Sequence, residues 1–210
     1  MGRPVLHGAS YSVYVRIACL ALDEKGVEFE RVPVDIFVNE LPNDYLLLHP
    51  FGKIPVLEHA GFRLFETSAI TRYVDETFPG PPLQPESARA RARMNQLIAV
   101  LDNYAYKAMV WDVFAEQEKA ARGGTPDANL IATGVENARR CLEVMQELKA
   151  ASVWLAGGML TLADLHCAPI VDYFLKTRDG ADAFAEFPDL APWWEKLSIR
   201  ASVRKFLVAE

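Results

Sequence analysis

A serine that opens an apolar helix can hold a negative charge, because its hydroxyl donates a hydrogen bond where the helix dipole is positive. Ser12 stands at such a point. From Ser12 to Lys25 the chain reads as a helix, with Val15, Cys19 and Leu22 recurring at helical spacing and Gly26 closing the run. Arg16 follows one turn later on the same side. An ordinary N-cap would select serine too, and Arg16 would serve equally in a structural salt bridge, so spacing alone leaves both readings open. Phe51-Gly-Lys-Ile-Pro55 places an X-Pro bond at the mouth of an apolar strand. Glu66-Thr67-Ser68-Ala-Ile70 sets an acid and a hydroxyl at a helix start, where a carboxylate can be received or the helix merely capped. Thr161-Leu-Ala-Asp164 is a hydroxyl with an acid three residues on, a capping box that makes Thr161 and Asp164 structural.

These groups need a frame to position them. Arg3 to His7 is a short apolar strand ending in a turn at Gly8 to Tyr11. Val27 to Val34 alternates apolar and polar residues as a second strand, parallel to the first because a helix separates them. Pro42 opens a short helix before His49-Pro50. Strands Val56–Glu58 and Phe62–Phe65 flank a turn at His59-Ala60-Gly61, and a helix runs from Thr67 to about Thr77. The order βαβ then ββα is the thioredoxin-like layout, a small mixed sheet with helices on both faces. Phe78-Pro-Gly-Pro-Pro-Leu83 cannot continue a helix. The expected division is an α/β domain over 1–78, a linker over 79–87 and an all-α bundle over 88–210. In that bundle the helices fall at about 88–121, 128–149, 161–176 and 190–203.

Composition narrows the function classes. At 210 residues, 51% apolar and 24% charged, the chain suits one large or two small globular, soluble domains. No run of about 18 apolar residues offers a membrane span, and the N-terminus lacks a charged-then-apolar leader pattern, so a cytoplasmic protein is expected. A net charge of −6 disfavours nucleic acid as partner. Arg89, Arg91 and Arg93 spread around one helix as a solvated face or an interface ion pair. Cys19, Cys141 and Cys167 form no C-x-x-C and sit in apolar helical stretches, as buried small hydrophobes would. His7, His49, His59 and His166 share no ligand spacing, so no metal is expected.

In this order and spacing the four blocks resemble the cytosolic glutathione transferase family, from Val5 to about Lys205. Ser12-Val-Tyr-Val-Arg16 is similar to the Ser-x-x-x-Arg of serine-type members, phi- and theta-like, while many bacterial-type members share the other blocks. The resemblance implies an enzyme that joins the thiolate of glutathione, its co-substrate, to a hydrophobic electrophilic small molecule. Lowering a thiol from about 8.5 to about 6.5 takes roughly 2.7 kcal/mol of preferential thiolate stabilisation. That falls to Ser12, with Arg16 in support; Ser10 and Tyr11 compete for the role. Pro55 would follow a cis bond, presenting the backbone of Ile54 to the cysteinyl part of glutathione, so that the Ile54 side chain matters little. Glu66 and Thr67 would hold the γ-glutamyl end, and Lys53 the glycine carboxylate. An acceptor pocket between the domains would draw on Tyr11, Tyr14, Tyr104, Met109, Trp111 and Phe114. Family members are homodimers; Phe51 and the first long helix are the implied contacts, with Asp102 reaching the neighbour's glutathione. Two other readings share the fold. One is glutathione-dependent isomerisation, dehalogenation, ether cleavage or peroxide reduction; the other is a non-catalytic interaction module, which would tend to lose the ligands present here.

Overall fold

The computed structural model describes residues 2–38, 41, 43–149 and 151–208. They belong to two compact units, Met1–Leu83 with Lys205–Glu210, and Gln84–Arg204. The first unit runs Val5–His7 (β1), Val13–Glu24 (α1), Glu30–Val32 (β2), Asn43–Leu48 (α2), Val56–His59 (β3), Phe62–Phe65 (β4) and Thr67–Thr77 (α3). Its strands lie in the order β2-β1-β3-β4; β1 pairs parallel with β2, while β1–β3 and β3–β4 are antiparallel. The parallel pair expected of a βαβ crossover is present, and the mixed sheet is the thioredoxin-like one. Pro42, expected to open α2, lies outside the described residues.

The second strand is shorter than the alternation suggests, three residues rather than eight. At its start the chain is still occupied with ending α1: Lys25, Gly26 and Val27 donate their N–H groups back to Ala21, Asp23 and Leu22. At its end Pro33 has no N–H to give to a ladder.

α1 and α3 pack together, and Leu20, Leu22, Ile70 and Val74 are fully buried. One ion pair ties their far ends. The Lys25 ammonium, its side chain 3% exposed, lies 3.0 Å from Asp75 Oδ1. It also donates to the carbonyls of Pro81 at 3.0 Å and Gly80 at 3.4 Å. Asp75 Oδ1 accepts the Leu83 N–H at 2.8 Å, so the same pair pins the proline-rich segment. Only glycine fits at position 80, where a Cβ would stand 2.9 Å from the Lys25 carbonyl oxygen.

The second unit is helical: Ala88–Val100 (α4), a π-helical stretch over Leu101–Ala115, then Glu116–Ala121 (α5), Ala128–Lys149 (α6), Leu162–Leu175 (α7), Arg178–Ala185 (α8), Ala191–Ser198 (α9) and Ala201–Val203 (α10). The expected helix over 88–121 is continuous but its middle is wound differently. α8 was not expected, since Gly180 reads as a breaker. In fact the Thr177 hydroxyl caps it by accepting the Gly180 N–H at 3.0 Å, and a Cβ at Gly180 would stand 2.0 Å from the Phe174 carbonyl oxygen. The last expected helix, 190–203, is two short ones, broken where Arg200 turns to extended backbone.

The capping box is a buried hub. Asp164, fully buried, accepts the Thr161 N–H and hydroxyl, each at 2.8 Å. It also accepts the Leu155 N–H at 2.9 Å and the Trp193 indole N–H at 2.8 Å. Burial pushes its pKa up and these four donors pull it back. All three cysteines are buried, as expected.

Asp75→Ala leaves the Lys25 ammonium buried without its counter-charge and is expected to cost about 3–5 kcal/mol in denaturant unfolding. Lys25→Met combined with Asp75→Leu should recover a large part of that loss.

Candidate active site

Strand register decides what meets at one end of the sheet. Val56 lies opposite His7 on β1 and Phe65 on β4, and His7 lies opposite Val32 on β2. The residues just beyond these four therefore emerge together: Gly8 to Ser12, Ile54-Pro55, Glu66-Thr67, and the segment after Pro33. Two helices, α1 and α3, begin at this end, so both present the positive ends of their dipoles there.

Ser12 is the N-cap of α1, with extended backbone, and its oxygen accepts the Val15 N–H at 3.4 Å. That bond uses a lone pair, so the hydroxyl proton remains for another acceptor. Arg16 is 6% exposed, and its Nε donates to the Ser10 carbonyl at 2.7 Å, bracing the turn that leads into Ser12. Tyr11 is committed elsewhere: its hydroxyl donates to Asp35 at 2.7 Å. Burial and that bond push its pKa up to about 12. Its ring stacks on Phe37 with centroids 5.5 Å apart. Asp35 also accepts the Phe37 N–H at 2.9 Å, closing a small clasp beside Ser12. Sequence reasoning overlooked Asp35 and Phe37, because no periodicity marks a loop.

The Ile54-Pro55 bond is cis. Among the described residues the Ile54 N–H and C=O take no hydrogen bond, which leaves a strand-like donor and acceptor at the sheet end. The Ile54 side chain, however, is 6% exposed and part of the core, so the expectation that it matters little is corrected. Lys53 is exposed and its ammonium has no partner among the described residues. Its carbonyl is held by the Tyr45 hydroxyl at 2.5 Å. Tyr45 is itself 5% exposed, and burial pushes its pKa up to about 12. This anchor also escaped sequence reading: a tyrosine in a short helix carries no motif.

Glu66 precedes α3 with φ 69° and ψ 111°, a sparsely populated conformation for a residue with a side chain. Its carboxylate is exposed and makes no capping bond, so it does not serve as a cap. Thr67 is 7% exposed; its hydroxyl and N–H, with the Ser68 N–H, have no partner among the described residues. Together they form an anion receptor at a helix start. Close by, His49 accepts the Phe51 N–H on Nδ1 at 3.3 Å, and its ring lies 4.7 Å from that of Phe65. Burial pushes the His49 pKa down, against the pull of Glu66.

The aromatic residues expected to line an acceptor pocket are dispersed. Tyr14 is half-buried on α1. In the second unit Met109 is fully buried, Tyr104 and Trp111 are 65% and 44% exposed, and Phe114 packs on Tyr173 with centroids 4.5 Å apart. A π-turn holds more residues than an α-turn, so side chains chosen at α-helical spacing do not share a face. Asp102 lies 3.6 Å from Nδ1 of the buried His166 in its own unit.

Known proteins share this arrangement. The family model described as glutathione S-transferase, N-terminal domain, matches residues 6–82, and that for the C-terminal domain matches residues 92–201. Glutathione S-transferase F13 of Arabidopsis thaliana is 34% identical over 95% of this chain and 93% of its own. The crystal structure of glutathione transferase F7 from Populus trichocarpa superposes with a TM-score of 0.84, at 31% identity over 97% of each chain. Glutathione S-transferase-I bound with the ligand lactoylglutathione does so with a TM-score of 0.85, at 27% identity over 99% of each. The chain belongs to the glutathione S-transferase family, among its serine-type, phi-like members.

Proposed function

We propose that the protein conjugates glutathione to hydrophobic electrophilic small molecules, with Ser12 donating a hydrogen bond to the glutathione thiolate. The observation that carries this is the grouping at one sheet end: an unsatisfied backbone pair at Ile54 beside two helix starts, each bearing a hydroxyl. A cysteinyl residue laid alongside Ile54 would bond to it as an added strand. Its thiol then meets Ser12. The proton leaves to solvent, and the sulfur lone pair attacks the acceptor's electrophilic carbon. Arg16 supports this through the Ser10 carbonyl, as a positioning residue. Thr67, with its own N–H and that of Ser68, receives the γ-glutamyl α-carboxylate, and Glu66 pairs with the ammonium. Lys53 takes the glycine carboxylate. The stacked rings of Tyr11 and Phe37 offer the acceptor an apolar wall next to the sulfur; Phe37 is 65% exposed.

Assembly as a homodimer in the cytoplasm belongs to this reading. Phe51 and Leu47, 71% and 75% exposed, are the apolar side chains that a second copy would cover. No helix among the described residues is long and apolar enough to cross a membrane.

Ultraviolet titration of bound glutathione tests the core of the proposal. The thiol pKa should lie at least a unit below the free value of about 8.5, and Ser12→Ala should restore it without abolishing binding. Binding with an unshifted pKa would remove Ser12 from the mechanism. Tyr45→Phe frees the Lys53 carbonyl, so Ile54 is less well presented. Its KM for glutathione should rise by about three- to tenfold with kcat nearly unchanged; an equal fall in kcat would assign Tyr45 a different role.

A further inference from the structure

The first unit holds a cavity of about 630 Å³ on the flank of α1, lined in part by Val15, Arg16, Cys19 and Asp23 from that helix. That volume falls within the range of small-molecule sites, about 300–1,000 Å³. None of Lys53, Ile54, Pro55, Glu66 or Thr67 lines it, nor does Ser12. Its far wall is the end of the chain: Lys205 and Phe206 belong to the first unit although they follow the whole second one. Two contacts seat that wall. Lys205 Nζ lies 2.5 Å from Asp23 Oδ1, and the Phe206 ring lies 6.2 Å from that of Phe29.

The lining has an unusual charge for so acidic a protein. Arg3, Arg16, Arg31 and Lys205 face two carboxylates, Asp23 and Glu28, in a chain whose net charge is −6. Lys205 matches Asp23, and Arg3 donates to the Phe29 carbonyl at 3.0 Å, which holds its guanidinium at the cavity rim. Cys19 adds no charge to the floor: burial pushes its thiol up to about 12. The balance is a positive rim over an apolar floor in which Phe29 and Phe206 supply two aromatic rings.

We propose that this cavity binds a small aromatic monocarboxylate, its ring against Phe29 and Phe206 and its carboxylate toward Arg31 and Arg16, at a place separate from the glutathione site. A planar guanidinium matches a carboxylate in geometry as well as charge. Glu28 disfavours a more highly charged ligand, and the two rings favour an aromatic body over an inorganic anion. This assignment does not depend on the reading of Ser12.

Calorimetric titration of the full chain with 2-naphthoate tests it, with S-hexylglutathione present at saturation to fill the other site. One naphthoate should bind per chain, more weakly as salt is raised. The neutral 2-naphthamide should bind at least about tenfold less tightly, as should naphthoate to Arg31→Glu. Phe206→Ala should weaken binding as well while leaving glutathione turnover unchanged. Absence of binding, competition between naphthoate and S-hexylglutathione, or equal affinity for Arg31→Glu would each overturn the proposal. Failure of S-hexylglutathione itself to bind would instead count against the glutathione reading, and the naphthoate titration would stand by itself.

Discussion

The buried pair between Lys25 and Asp75 is the constraint on which the first unit turns. α1 and α3 start at the sheet end that carries Ser12 and Thr67, and their other ends meet at this one ammonium. Three oxygen acceptors surround it: a carboxylate and the carbonyls of Gly80 and Pro81. Such a pair adds little net stability over two apolar side chains, because desolvating both charges offsets most of the attraction. What it does supply is direction. A charge with three fixed partners tolerates little sliding of one helix along the other, so both helix starts keep their place relative to the Ile54 backbone. The site's precision is thus set at the opposite end of the helices that form it.

The second unit uses a buried acid to a similar end. Asp164 draws together its own helix start, the Leu155 backbone and the Trp193 indole. Each donor would be an unsatisfied buried group without it. Both units therefore reserve a fully desolvated charge for architecture and leave the chemically useful groups only half-enclosed. Ser12 keeps its proton, Thr67 keeps its hydroxyl and Glu66 keeps its carboxylate in solvent.

How far the sequence discloses this depends on the range of the interaction. Caps are local, so Ser12, Thr161 and Asp164 were readable from spacing of three or four residues. The strands β3 and β4, with their turn and the helix after it, were readable because alternation and glycine punctuate them. Family likeness, not spacing, pointed to Ile54 and Lys53, since an empty backbone donor has no sequence signature. Long-range partners stayed hidden. Nothing near Lys25 announces Asp75, and nothing near Tyr45 announces the Lys53 carbonyl. Gly180 misled because its glycine serves close approach rather than a break. The π-helical winding over Leu101–Ala115 defeated the α-periodic choice of Tyr104, Met109, Trp111 and Phe114.

The two readings of Ser12 illustrate why sequence could not choose between a cap and an anion donor. Capping draws on a lone pair of the hydroxyl oxygen, toward the Val15 N–H at 3.4 Å. Stabilising a thiolate draws on the hydroxyl hydrogen, and accepting a bond from an N–H leaves that hydrogen undiminished as a donor. Both roles favour the same place, the first turn of a helix, because both depend on the unpaired N–H groups gathered there. A cap and a thiolate donor are then two functions of one geometry. Arg16, by holding the Ser10 carbonyl, keeps the turn before the cap in the form that serves both.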